Sequence, residues 1–153
     1  MVSKTSIAEI ASVRVLYSPK TSINKRVTVH TSKDAYAIFL EKWDKDKLEM
    51  IEQLQLLLLN KANQVLGVYP LASGGINSVT LDIRLIFSVA LHCLASAIIL
   101  AHNHPCGISL PSETDITLTK QLKEAGKLID IQVLDHLIIT PTGYTSLSDS
   151  GYL

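Results

Sequence analysis

Residues 100–115, "LAHNHPCGISLPSETD", gather into sixteen positions the side chains best suited to hold a metal ion. In an extended segment, side chains i and i+2 project to one side. His102 and His104 can therefore aim two imidazoles at one point while Asn103 faces away. Pro105 fixes the next φ and Gly107 frees a later one, which lets the chain turn back. Ser112 and Asp115 then lie three residues apart on the first turn of an expected helix, sharing a face. Two imidazoles and one carboxylate suit a catalytic Zn2+ with water in the fourth position. Zinc lowers the pKa of such a water to about 7, giving a hydroxide nucleophile at neutral pH. The stretch itself supplies no base for that water's proton.

Plainer readings stand beside this one. A His-x-His pair occurs by chance and can be a hydrogen-bonded loop pair. Taken alone, Ser112 and Asp115, preceded by Pro111, fit a capping box better than a ligand pair. Cys106 reads as a partly buried, inert thiol rather than a nucleophile or fourth ligand. Asp135 and His136 in "LDHLII" are either a pair that orients a ligand histidine or the polar face of a strand. His30 and His92 have no partner pattern and read as structural.

The elements around the stretch explain how it would be positioned. "SAIILAH" has no polar face, as expected of a strand buried on both sides, and it leads directly into His102. A helix over 112–128 follows, with Leu118, Leu122, Ala125 and Ile129 in line. Upstream, "SVRVLYS" at 11–17 alternates like a strand. "TSKDAYAIFLEKW" reads as a helix capped by Thr31 or Ser32, with Ala35, Ile38, Phe39 and Trp43 on one face. "EQLQLLLLNKANQVLGVYP" suggests a hairpin turning at 60–63, its second strand spanning 64–69 and ending at Pro70. Residues 81–94 form a helix, capped by Thr80, with Leu85, Ile86, Val89, Ala90, Cys93 and Leu94 at helical spacing. "IQVLDHLIIT" and "YTSL" close the sheet. The expected order of elements is mixed α/β.

Composition narrows the function classes. The 153 residues are 47% hydrophobic and 18% charged, which fits one globular domain. Lysine plus arginine equals aspartate plus glutamate at 14 each, so the basic excess of a dedicated nucleic-acid binder is missing. Two cysteines give no disulfide framework and fit a reducing compartment. The N-terminal segment lacks the apolar core of a signal peptide, and no apolar run approaches the ~20 residues of a membrane span. A soluble, cytoplasmic protein without a membrane partner is expected.

Taken together, His-x-His-Pro, six residues, then Ser-x-x-Asp resembles the signature of the JAMM (JAB, MPN+) metallopeptidase family, matched without a gap. Asn103, Gly107, "PSETD", "INS" at 76–78 and "LDHLII" resemble its RadC-like branch in particular. The resemblance covers roughly 48–153, leaving 1–47 as a strand-and-helix preface packed on the domain. Full-length RadC proteins carry a helix-hairpin-helix module ahead of this domain. Nothing here looks like one, so the chain resembles the short, stand-alone form.

Pattern and resemblance together imply an α/β fold class, a mixed, mainly antiparallel, curved sheet flanked by helices, MPN/JAB-like with cytidine-deaminase-like layering. The resemblance implies one Zn2+ held by His102, His104 and Asp115. It also implies the missing base, a glutamate opening an early strand. Glu52 occupies that place, and Glu49, three residues earlier, is the competitor. Ser112 would stabilise the oxyanion on the attacked carbonyl. Asn103 and the "SGG" loop at 73–75 are candidate wall residues. The implied reaction is hydrolysis of a peptide or isopeptide bond in an unknown protein or peptide substrate. The alternatives are an accessory protein of DNA repair or recombination, for which the neutral charge makes a weak case, and a metal-free scaffold, from which the intact ligand set departs.

Overall fold

The computed structural model describes residues 17–74 and 81–153. The expected strand at 11–17, Thr80 and the "INS" segment therefore lie outside the described residues, Tyr17 excepted. Among these residues the core is a five-stranded open sheet in the order β2-β1-β3-β4-β5. Its strands are β1 (Gln53–Leu59), β2 (Val65–Ser73), β3 (Ala97–Asn103), β4 (Gln132–Thr140) and β5 (Gly143–Ser146). Neighbours pair antiparallel except β3 and β4, which run parallel. The fold is thus mixed α/β and mainly antiparallel, as expected. Among the described residues, no helix is long and apolar enough to cross a membrane.

Strand alternation sorts the core into two layers. Leu54, Leu56 and Leu58 of β1, with Ile98 and Leu100 of β3, pack with α2 (Ile83–His92) and α3 (Glu113–Leu128). Leu57 and Leu59, with Ile99, Ala101, Leu137 and Ile139, pack with Phe39 and Trp43 at α1 (Ser32–Lys42). Helices on both faces leave the central strands no solvent side, which is why β3 is buried along its whole length. Each fully buried leucine or isoleucine here contributes about 1.5–3 kcal/mol before conformational entropy is charged against it.

Several local expectations hold and several shift. Thr31 caps α1 in a capping box with Asp34. The hairpin turn is closed by the Asn60 side chain, which accepts from the backbone of Ala62 and Gln64, and Asn63 adopts φ 55°. β2 does not stop before Pro70 but runs on to Ser73. Among the described residues β2 is an edge strand, and the register shifts between Leu54 and Gln55, opposite Pro70, so the missing N–H is tolerated there.

In α2 the buried face is Ile86, Phe87 and Ala90, while Leu85 and Leu94 are 42% and 84% exposed. Asp82 caps this helix, and Leu94, past its end at φ 52°, turns the chain out of the helical stripe. α3 buries Thr119, Leu122 and Gly126, with Leu118 and Ala125 partly covered and Ile129 40% exposed. Gly126 lets the end of α3 touch the entry to β4. A Cβ there would stand 2.3 Å from the Ile131 carbonyl oxygen. This close approach holds α3 down on β4, and both elements contribute to the site.

Candidate metal centre

His102 is the penultimate residue of β3 and shares a face with Leu100, turned toward α3. His104 follows just past the strand, where its backbone N–H donates to the Ile139 carbonyl of β4. The loop from Pro105 reverses direction with Gly107 at φ 79° and delivers Asp115 on the first turn of α3. Among the described residues, His102, His104 and Asp115 form the one group of such side chains whose ligand atoms all lie within 4.8 Å of one another. His102 Nε2 is 2.9 Å from His104 Nε2 and 3.2 Å from Asp115 Oδ1, and His104 Nε2 is 3.7 Å from Asp115 Oδ2. The side chains are only 7%, 14% and 15% exposed, so the cluster lies at the bottom of the surface rather than on it.

The hydrogen bonds behind the rings decide which nitrogen faces inward. His104 Nδ1 lies 2.7 Å from the Ile108 carbonyl oxygen, which only accepts, so Nδ1 carries a proton and the neutral ring turns its Nε2 lone pair to the cluster. His102 Nδ1 lies 2.8 Å from Nε2 of the fully buried His136. With His102 Nε2 also unprotonated, two lone pairs and a carboxylate at these distances would share a positive charge. In a tetrahedral zinc site, nitrogens at about 2.0–2.1 Å from the ion stand about 3.3 Å apart. The two rings need open by only a few tenths of an ångström to admit one, so the donor set fits zinc.

Without a metal, that charge would be a proton. The Asp115 carboxylate beside His104 raises that ring's pKa above its ordinary value. Burial pushes His102 down to about 4, against the pull of Asp115. Burial also opposes the charge on Asp115. The contact with His104, the nearby His102 and the bonds from Ser112 outweigh it and hold the carboxyl well below the usual carboxylate range. His136 is neutral, its pKa lowered by burial.

Ser112 is the N-cap of α3. Its hydroxyl accepts from the Asp115 N–H at 3.2 Å and donates to Asp115 Oδ2 at 2.6 Å. Its own N–H donates to the same oxygen at 2.7 Å. The capping box and the ligand set thus share Asp115, and the bond from Ser112 fixes which way that carboxylate faces.

Glu52 immediately precedes β1 and is half-buried, whereas Glu49 is exposed in the preceding turn. β1 pairs Leu54 with His102, so Glu52, just ahead of β1, lies at the end of the strand that carries the histidines. The charge of Glu52 also raises the pKa of His104. The backbone around Glu52 is held from both sides. Fully buried Asn103 donates through Nδ2 to the carbonyls of Leu48 and Ile51, at 2.7 and 2.9 Å. Its Oδ1 accepts from the Gln53 N–H at 2.6 Å. The Gly74 N–H donates to the Glu52 carbonyl at 2.8 Å. Asn103 faces away from the two histidines, as strand alternation requires, and is a clamp on the segment bearing Glu52 rather than a wall of the site.

The remaining candidates separate cleanly. Asp135 and His136 are both buried, so they are not the polar face of an exposed strand. His136 faces the site. Asp135 instead binds the Ser146 hydroxyl and the Ser148 N–H, staples for β5 and the following turn. Cys106 is exposed, not partly buried, because the loop carries it outward. His30 and His92 lie outside the cluster. Thr119, absent from the sequence reading, binds His136 Nδ1 at 2.7 Å. Its signal was a polar residue four positions after Asp115, inside the apolar stripe of α3.

A family model described as the RadC-like JAB domain matches residues 29–152. The chain is 44% identical over 100 residues to a UPF0758 protein of Flavobacterium johnsoniae, covering 65% of this chain and 44% of that one. It is 45% identical over 103 residues to a UPF0758 protein of Porphyromonas gingivalis, covering 67% and 45%. A third, from Desulforamulus reducens, is 41% identical over 129 residues, covering 84% and 55%. The chain spans about half the length of these relatives, whose names state no activity.

Proposed function

Because the chain belongs to the RadC-like JAB domain family, we propose that it is a zinc-dependent hydrolase of a peptide or isopeptide bond. In this reading His102, His104 and Asp115 hold the metal, Glu52 moves the proton and Ser112 assists at the attacked carbonyl. The observation that carries it is the convergence of two imidazole Nε2 atoms and a carboxylate within 4.8 Å, with the charge of Glu52 beside them. Zinc held by that set supplies a Lewis acid that brings the pKa of a water to about 7.

Glu52 accepts the proton of the attacking water and returns it to the departing nitrogen, so the amine leaves neutral. The bonds from Asn103 and Gly74 keep its backbone in place while the carboxylate does so. Ser112 donates to the carbonyl oxygen as negative charge develops there, exchanging its present bond to Asp115 Oδ2. The test is cleavage of a panel of linear and lysine-branched peptides, read by mass spectrometry. Cleavage should appear on zinc loading and vanish on chelation. Cleavage that persists in chelator would contradict the reading.

Two further outcomes follow from the site's geometry. Zinc must compete with a proton at His104, whose pKa the Asp115 carboxylate raises above the ordinary imidazole value in the metal-free protein. Zinc affinity is therefore expected to fall about tenfold per pH unit once the pH drops below the His104 pKa, and to level off above it. Competition titration against a chelator across neutral pH checks this, and a flat profile would contradict it.

Ser112→Ala separates the two jobs of that hydroxyl. Loss of the cap should cost about 0.5–2 kcal/mol, seen as a lower melting temperature. Loss of the oxyanion donor should cost roughly 10²–10³ in turnover with zinc content unchanged. A lower melting temperature with full turnover would leave Ser112 as a cap alone.

A further inference from the structure

Behind His102 a single file of hydrogen bonds runs back to the helix that carries Asp115. His102 Nδ1 meets His136 Nε2 at 2.8 Å, and His136 Nδ1 meets the Thr119 hydroxyl at 2.7 Å. The Thr119 hydroxyl donates to the Asp115 carbonyl at 2.6 Å. His136 and Thr119 are 0% and 1% exposed.

The proton order along this file has one consistent solution. A carbonyl only accepts, so the single hydroxyl proton of Thr119 is spent on Asp115. Thr119 Oγ1 must then accept, and His136 Nδ1 must be the N–H that donates to it. Full burial disfavours the doubly protonated, charged ring, so His136 Nε2 bears a lone pair. That lone pair accepts from His102 Nδ1–H, and His102 Nε2 is left as the unprotonated atom facing Asp115. The file begins at the backbone of one candidate ligand and ends on the ring of another.

We propose that Thr119 and His136 are positioning residues that lock His102 in its Nδ1–H tautomer, so that Nε2 presents its lone pair to the metal. The proposal rests on the reading of His102 as a ligand. A histidine ligand whose second nitrogen is oriented in this way binds metal more tightly, and loss of the orienting partner typically costs 10–100-fold in affinity. Here the partner is a neutral imidazole whose own tautomer is dictated by a threonine four residues from Asp115 on the same helix. A shift of α3 on the sheet would therefore move the ligand carboxylate and the threonine together.

The test uses the full chain, zinc-free and labelled with nitrogen-15 at histidine, in mildly alkaline buffer. Two-bond nitrogen–proton correlation spectra should show His102 and His136 protonated at Nδ1 and bare at Nε2. A His102 protonated at Nε2 would overturn the proposal with no variant needed. Thr119→Val should then disturb the His136 and His102 tautomers and weaken zinc binding 10–100-fold by chelator competition, while Thr119→Ser, which keeps the hydroxyl, stays close to wild type. His102→Ala distinguishes the two levels. Zinc retained there overturns the ligand assignment and the proposal with it. Zinc lost there but held at wild-type affinity by a folded Thr119→Val protein overturns the positioning role alone.

Discussion

Alanine at His102 or His104 is expected to abolish stoichiometric zinc, with a loss of affinity well beyond the roughly 10–100-fold that follows loss of a residue supporting a ligand. Under the proposed function each ring supplies one of the three donor atoms that lie within 4.8 Å of one another. Asp115 calls for Asn rather than Ala, because Asp115, the third residue of α3, also completes its capping box with Ser112. Asn keeps an oxygen for the Ser112 N–H and removes the charge, so a loss of zinc there is not a side effect of a frayed helix. Thermal unfolding offers a second readout. Zinc at 100 times its dissociation constant adds about 2.7 kcal/mol of stability. For a chain of this length that is a rise of about 5–11 °C in melting temperature. Wild type should show the rise and the three ligand variants should not. A ligand variant that still rises with zinc would remove that residue from the set.

Glu52→Gln should behave in the opposite way, keeping the metal and losing the chemistry. The substitution preserves size and leaves the backbone bonds from Asn103 and Gly74 intact. It removes the carboxylate that would accept a proton and, with it, the charge that acts on His104. The expected loss is about 10²–10⁴-fold in turnover, with zinc content and melting temperature close to wild type. Glu49→Gln, in the exposed turn three residues earlier, should change neither. If Glu52→Gln stripped the zinc, Glu52 would be a ligand and the division of roles would be wrong. If Glu49→Gln alone abolished turnover, the base would have been placed on the wrong carboxylate.

The parts of this site that were legible in the sequence are those encoded by short-range geometry. His-x-His at the end of an apolar run needs only strand alternation to bring two rings to one side. Ser-x-x-Asp after a proline needs only one turn of helix. The hairpin at 60–63 and the two-sided burial of β3 were equally local.

What was not legible depends on which residues meet across the fold. Asn103 clamps backbone about 50 residues away, and no spacing announces that partner. The pair Asp135 and His136 could not be divided, because a one-residue slip exchanges the faces of a strand. β4 carries such an irregularity, where Ile98 pairs with Val133 but Ile99 with Asp135. That step turns His136 toward α3 and Asp135 toward β5. Pro70 misled for a related reason, since its tolerance depends on β2 lying at the edge of the sheet. In α2, Leu85 and Leu94 fitted a helical stripe equally well on paper, and the position of the cap at Asp82 and the left-handed turn at Leu94 decided otherwise.

The most direct measurement is the zinc content of the full chain after loading with excess zinc and exhaustive desalting, by elemental mass spectrometry. The expected result is one zinc per chain in the wild type and in Glu52→Gln, and none in His102→Ala. A wild-type chain that emerges without zinc, or a His102→Ala chain that retains it, would contradict the metal centre and the hydrolase built on it.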